Sequence, residues 1–378
     1  PPSRYFKRHP EYFALVDGKR LPASPHTGQL CTTEPAVAYI VARAAIKWFG
    51  ENPEGIWPMS PDDNSDFCEC KRCTALDVIP GQLTDRLIVF YNKVADIVAE
   101  KYPDRFMTFL AYNEYTMPPL VQRPRFNLIP QVCRIGAFAY GLSEERLEQL
   151  MGRWSRLSPI LATYEYIGPW NWFGFSPILT ELKRDFEVFK QVGVDIVAAD
   201  CHPNWATQGL NIWAAQRLLW DTNLSVDFLI RDYCQGMFGA GADAMMLFYH
   251  LLESESWRMN IDAPHTSSAF FNTRLLNQLQ AYLDKADGLV EKGSIQAQRL
   301  DLVRAGLDFT SRWVEGWRWL NRYNNKNEKK EYLRYAVVQW KAALKIAESV
   351  GEQGFQIELV RLSLTSRIKK LQTTKEKS

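Results

Sequence analysis

Residues 60–73 read SPDDNSDFCECKRC, two adjacent aspartates at the end of an apolar stretch followed by three cysteines within six residues. Adjacent acids just past a strand can both turn toward one pocket. Their mutual repulsion then raises one of the two pKa values and keeps that group protonated near neutral pH, as a general acid must be. The same letters also make a good β-turn, with Ser, Pro and Asp where a turn wants them. Cys68, Cys70 and Cys73, in CxCxxC spacing and joined by Cys31, could supply four thiolates to a structural zinc. In an exported protein two of them could equally form a disulfide. An all-thiolate site closes the open position that catalysis needs, so no cofactor for catalysis is expected. Cys133, Cys201 and Cys234 fall in strand or helix patterns and read as buried thiols.

Glu165, in TYEYIGPWNWFG, is the competing carboxylate: a nucleophile at a strand end, or a buried acid bonded to a backbone amide. Asn113 and Glu114, in AYNEY, have the look of the Asn-Glu acid of the large retaining-glycosidase clan. In that clan the two glutamates lie three strands apart, whereas Glu114 and Glu165 lie two apart. Sugar rings stack apolar C–H faces on aromatic side chains while their hydroxyls demand fixed polar partners. Tyr112, Tyr140, Tyr164, Tyr166, Trp170, Trp172 and Trp205 sit at or just past strand ends, with Asn113, His202 and Asn204 among them. Taken singly, each of these is expected in core or loop packing before ligand contact; Tyr164, Tyr166, Trp170 and His202 rank first as substrate contacts, and the rest stay open.

Short, continuously apolar runs position these groups. GIWPMS (55–60), FMTFLAY (106–112), NLIPQV (127–132), ILATYEY (160–166) and DIVAAD (195–200) read as buried parallel strands. QLCTT (29–33) is expected to close one more, making six. Between them lie helical patterns: PAVAYIVARAAIKWF with Pro in its first turn, a segment capped by Thr84, another after Ser143, and SPILTELKRDFEVFKQVG ending at Gly193. After DIVAAD the pattern is helical only. The expected fold is therefore α/β: a (β/α)₈ barrel, with strands 3 to 8 in residues 1–240, its first two strands lying upstream, followed by an α-helical bundle in 241–378. An open six-stranded sheet is the alternative. Clustering of polar residues at the carboxyl ends of the strands favours the barrel, and no Gly-rich phosphate loop follows any strand.

Composition narrows the partners. In 378 residues, 45 Lys and Arg face 43 Asp and Glu, and the formal charge is +2. Without long basic runs this argues for a neutral ligand and against nucleic acid. No stretch approaches the roughly 20 apolar residues that span a bilayer, and residues 1–13 do not resemble a signal peptide.

The runs YFKRHPEYFALVDGKR, QLCTTEP, SPDDNSDFCECKRC, AYNEYTMPP and AAQRLLWDTNLSVDFLIRDYCQGMFG, in that order over roughly residues 5–240, resemble glycoside hydrolase family 163. This is the characterised branch of a bacterial family once catalogued as a domain of unknown function. The resemblance implies a barrel, export to the periplasm or cell surface, and an endo-β-N-acetylglucosaminidase that cuts the chitobiose core of complex N-glycans. Where the sugar carries a 2-acetamido group, its carbonyl can itself attack the anomeric carbon. One carboxylate then orients the amide and a neighbouring acid protonates the leaving oxygen. In the N-acetylhexosaminidase barrels that this motif is similar to, such a pair follows the fourth strand, the place of GIWPMS when two strands lie upstream. The resemblance thus makes Asp62 the orienting group and Asp63 the acid. A carboxylate-nucleophile mechanism through Glu165 and a non-catalytic glycan-binding module are the competing functions.

Overall fold

The structure, a computed structural model, describes residues 3–22, 24, 27–133, 143–168, 172–201, 204–254, 269–325 and 329–377. Near the start, Asp17 and Gly18 (φ 49° and 74°) make the two-residue turn of a small antiparallel hairpin, β1 (Leu15–Val16) and β2 (Lys19–Arg20). Two successive positive φ values suit an Asp-Gly pair.

The main sheet is built from the apolar runs. Its strands are β3 (Trp57–Pro58), β4 (Met107–Ala111), β5 (Leu128–Cys133), β6 (Ala162–Tyr166) and β7 (Ile196–Asp200), side by side in chain order. β3 pairs parallel with β4, β4 with β5 (Met107 opposite Leu128) and β5 with β6 (Gln131 opposite Ala162). Between β6 and β7 the backbone bonds climb both chains together, from Ile196 N to Leu161 O and from Ile167 N to Asp200 O. Parallel strands in sequence order, with an α-helix in every connection but that from β4 to β5, are the pattern of part of a barrel. The described strands do not make a full eight-stranded barrel.

The expected sixth strand is absent among the described residues. QLCTT makes a single antiparallel bridge, Leu30 to Phe13. Its alternate residues Gln29 and Cys31 are buried in contacts with residues 62–73, so the segment follows that loop instead of the sheet.

The helices start and stop for local reasons. Pro35 opens Pro35–Glu51, Ser143 accepts the Arg146 N–H at the head of Glu144–Ser155, and Gly193 (φ 78°) ends Leu179–Val192. Thr84 departs from its expected role: Leu83 holds the cap position of Thr84–Ala99, and the Thr84 hydroxyl donates to Met117 O at 2.7 Å. One residue on, the buried Asp85 carboxylate accepts the backbone N–H groups of Leu120, Val121 and Gln122 at 2.8–2.9 Å. The head of this helix therefore anchors the loop that follows β4.

The chain divides into two compact units, one of Pro1–Glu165 with Val188–Ala198, the other of Tyr166–Glu187 with Ala199–Ser378. In the first, helix Pro35–Glu51 lies against helix Thr84–Ala99, and Val37, Ala42, Phe49, Leu87 and Val94 on the two are buried. In the second, helix Trp205–Trp220 packs against the long helix Ile295–Asn325, so the helices after β7 continue into those after residue 241. Trp313 and Trp340 are buried where Ile295–Asn325 meets Lys330–Val350.

Candidate functional site

The acidic loop leaves β3 and is held by one buried side chain. Gln29, 5% exposed, donates from Nε2 to the carbonyl oxygens of Asp62 (2.7 Å) and Asn64 (3.0 Å), and its Oε1 accepts the Asp62 N–H (3.2 Å). The preceding residue helps from the backbone. Gly28 N–H donates to Asp66 Oδ2 at 2.7 Å, and Asn64 Nδ2 donates to Gly28 O at 3.2 Å. Residues 62–66 are thus a fixed loop in which the adjacent Asp62 and Asp63 remain exposed while Asp66 is half-buried.

β4 ends next door in a tight helical turn, Asn113–Tyr115. Asn113 takes φ 44°, a left-handed conformation that Asn tolerates better than most residues. The turn and the acidic loop are joined where Ser65 Oγ donates to Glu114 Oε1 at 2.6 Å. Tyr112 interacts with both Asp63 and Asn113. Burial, then the Asp63 charge, push its hydroxyl above the ordinary 10. Tyr115 is also pushed up, by burial first and then by Tyr112, Glu114 and Asp63. Its ring meets Phe67 and Tyr112 edge-on, an aromatic wedge between the loop and the turn.

Asp62 faces a cavity of about 250 Å³ walled by Gln29, Trp57, Met59, Phe67, Phe90 and Tyr91, among others. Burial pushes its carboxyl above the ordinary 3.8. In that wall the Trp57 Nε1 and the Tyr91 hydroxyl are buried without a hydrogen-bond partner.

The first unit therefore brings Asp62, Asp63, Asn113 and Glu114 to the carboxyl ends of two neighbouring strands. Glu165 is placed differently: it is 3% exposed inside β6, accepting a hydrogen bond from Thr163 Oγ1, which also bonds Val132 O. Strand alternation puts Thr163 and Glu165 on one face and Tyr164, half-buried, on the other, with Tyr166 following Tyr164. Trp170, His202 and Tyr140 lie outside the described residues. Trp172 is no groove residue: it is 1% exposed, its indole N–H donates to Phe175 O at 2.7 Å and its ring stacks on Phe271.

The cysteines also meet. The sulfurs of Cys31, Cys68, Cys70 and Cys73 all lie within 4.8 Å of one another, with Cys31 Sγ 3.8 Å from those of Cys70 and Cys73. A disulfide would require about 2.05 Å. Cys31, Cys68 and Cys73 are buried and Cys70 is half-buried. Donation from Cys68 and Cys73 draws the Cys31 thiol far down, while bonding to Cys31 pushes Cys68 and Cys73 up. Cys133 and Cys234 are buried thiols as expected, and Cys201 is half-buried.

Gln29 and Tyr115 were not legible as site residues. Gln29 has no local signature, since its partner loop lies 33 residues away. Tyr115 follows Asn113 and Glu114 closely enough to have been grouped with them.

The class these observations define is a mixed α/β protein with acidic and aromatic side chains gathered at the ends of parallel strands. The chain belongs to the family described as DUF4838, a domain of unknown function, which matches residues 1–250. Among solved structures it is similar to a GH138 enzyme targeting pectin rhamnogalacturonan II, at 11% identity and a TM-score of 0.45. The match covers 85% of this chain and 47% of that one, so the chain spans less than half of that protein's length. A likeness of that depth carries no argument about chemistry. No curated protein matches. Among the described residues no helix is long and apolar enough to cross a membrane.

Proposed function

We propose that the protein is a glycoside hydrolase acting on β-N-acetylglucosaminides, with the chitobiose core of complex N-glycans as its substrate and an exported location where such glycans are met. The observation that carries this reading is the adjacent pair Asp62–Asp63, held by Gln29 at the end of β3. Substrate-assisted cleavage needs two carboxyl groups in one place with different tasks. The surroundings of this pair are unlike: Asp62 faces the cavity, while Asp63 meets Tyr112. The cavity's largely apolar wall, with the rings of Trp57, Phe67, Phe90 and Tyr91, suits a sugar ring. Asn113 and Glu114 stand beside the pair as further substrate contacts, and Tyr164, Tyr166, Trp170 and His202 are proposed as substrate contacts as well.

Sequence resemblance makes Asp62 the orienting group and Asp63 the acid. The cavity that Asp62 faces makes the reverse division the second reading. In either order the acetamide carbonyl attacks the anomeric carbon, forming a C–O bond as the bond to the leaving oxygen breaks. The acid protonates that oxygen, and its conjugate base then activates water to open the bicyclic intermediate. A thiazoline mimic of that intermediate tests the route, because the site is complementary to the strained state and not to the ground-state sugar. Tight competitive inhibition of the full-length protein is expected. Failure to inhibit, together with a covalent sugar adduct that Glu165→Gln abolishes, would transfer the nucleophile's role to Glu165.

A further inference from the structure

The cysteine cluster has the dimensions of a metal site. A tetrahedron with zinc–sulfur bonds of about 2.3 Å has sulfur–sulfur edges of about 3.8 Å. Cys31 Sγ stands 3.8 Å from the sulfurs of both Cys70 and Cys73, and the four sulfurs form one mutually close group. Four soft donors in a tetrahedral arrangement select zinc or iron, and leave no position open for a reacting group.

The surroundings supply what a thiolate cluster needs. Leu15 N–H donates to Cys68 Sγ at 3.3 Å, and the Arg20 guanidinium lies 3.7 Å from the same sulfur. The Thr33 hydroxyl is 3.2 Å from Cys73 Sγ. A zinc with four thiolates carries two negative charges, and a nearby guanidinium with N–H and O–H donors offsets them, as outer-shell groups do in protein zinc sites. The donors come from the N-terminal segment and the ligands from both sides of the acidic loop. Hairpin β1–β2 is tied to the same place, through Glu69 N–H to Leu15 O at 2.7 Å and Asp17 N–H to Glu69 Oε2 at 2.9 Å.

We propose that Cys31, Cys68, Cys70 and Cys73 bind one structural zinc ion that fastens the N-terminal hairpin and residues 28–33 to the loop carrying Asp62 and Asp63. Binding converts four thiols to thiolates and releases their protons to solvent. The site rests on the cysteine geometry and not on the proposed glycosidase activity, so either can fail without the other.

The test is metal content. Full-length protein purified from zinc-supplemented culture should release one zinc ion per chain on denaturation, measured by mass spectrometry of the elements. Cys73→Ser should reduce this to background, and Cys234→Ser, a buried thiol outside the cluster, should leave it at one. If Cys73→Ser does not fold, cobalt exchanged into the parent protein provides the same information. Tetrahedral thiolate coordination gives intense visible bands and a sulfur-to-cobalt charge-transfer band. Absence of zinc with no such spectrum, one iron per chain in place of zinc, or a disulfide within the cluster by non-reducing peptide mapping would each overturn the proposal.

Discussion

The side-chain amide of Gln29 spans the backbone of Asp62, donating to its carbonyl oxygen at 2.7 Å and accepting its N–H at 3.2 Å. This reciprocal pair fixes the backbone where the acidic loop leaves β3.

Gln29→Leu keeps the bulk and removes the amide, leaving the Asp62 N–H and the carbonyls of Asp62 and Asn64 without their buried partner. A loss of about 1–3 kcal/mol of stability is expected, measured by chemical denaturation. Faster hydrogen exchange at the Asp62 amide should accompany it. Unchanged exchange there would show that the loop is held by something else.

Gly28 and Gly18 share a left-handed backbone, with φ of 71° and 74°, but differ in surroundings. A Cβ on Gly28 would stand 3.0 Å from Pro22 O, whereas one on Gly18 meets nothing within 4 Å. Gly18→Ala should cost only the conformational penalty of roughly 1–2 kcal/mol. Gly28→Ala should cost clearly more and lower the melting temperature further. Equal effects would mean that the backbone yields at Pro22.

Burial raises the Asp62 carboxyl above 3.8, so folding favours its neutral form. The stability this contributes is complete below the unfolded pKa and is lost as pH rises through the folded one. Asp62→Asn removes the titration. Melting temperatures of parent and variant should therefore diverge in the variant's favour as pH rises from 3 toward 7, about the range in which a carboxyl so shifted ionises. A constant difference across that range would place the Asp62 carboxyl in water.

The sheet was largely legible, and the reason is physical. FMTFLAY, NLIPQV and ILATYEY are short apolar runs, and β4, β5 and β6 form on them, every described residue buried or half-buried, because parallel strands covered by helices leave neither face open to water. QLCTT looks like the same kind of run, but Gln29 and Cys31 find their partners in the loop at 62–73, a tertiary contact that no local pattern announces. Trp172, left open between core and groove, is drawn inward for a related reason. Thr207, Gln208 and Asn211 on helix Trp205–Trp220 hydrogen-bond the backbone of Phe173, Gly174 and Ser176, and that polar helix face draws the aromatic segment into the core of its unit. The cysteine cluster was legible as a set of four because its spacing is itself the chemistry. The neighbourhood of Asp63 was legible only in part, since Tyr112 was read as a sugar platform and not as the partner of a carboxylate.

The most direct test compares leaving groups in the full-length protein. Parent, Asp62→Asn and Asp63→Asn are assayed on a chitobiose-core glycopeptide and on an aryl β-N-acetylglucosaminide whose phenol leaves without protonation. The variant lacking the acid should lose about 10²–10⁴-fold on the glycopeptide while keeping much of its rate on the aryl substrate. The variant lacking the orienting group should be slow on both, because the acetamide is misaligned whatever the leaving group. Which aspartate gives which result assigns the roles. Parental rates on both substrates in both variants would contradict the claim that Asp62 and Asp63 are the catalytic pair.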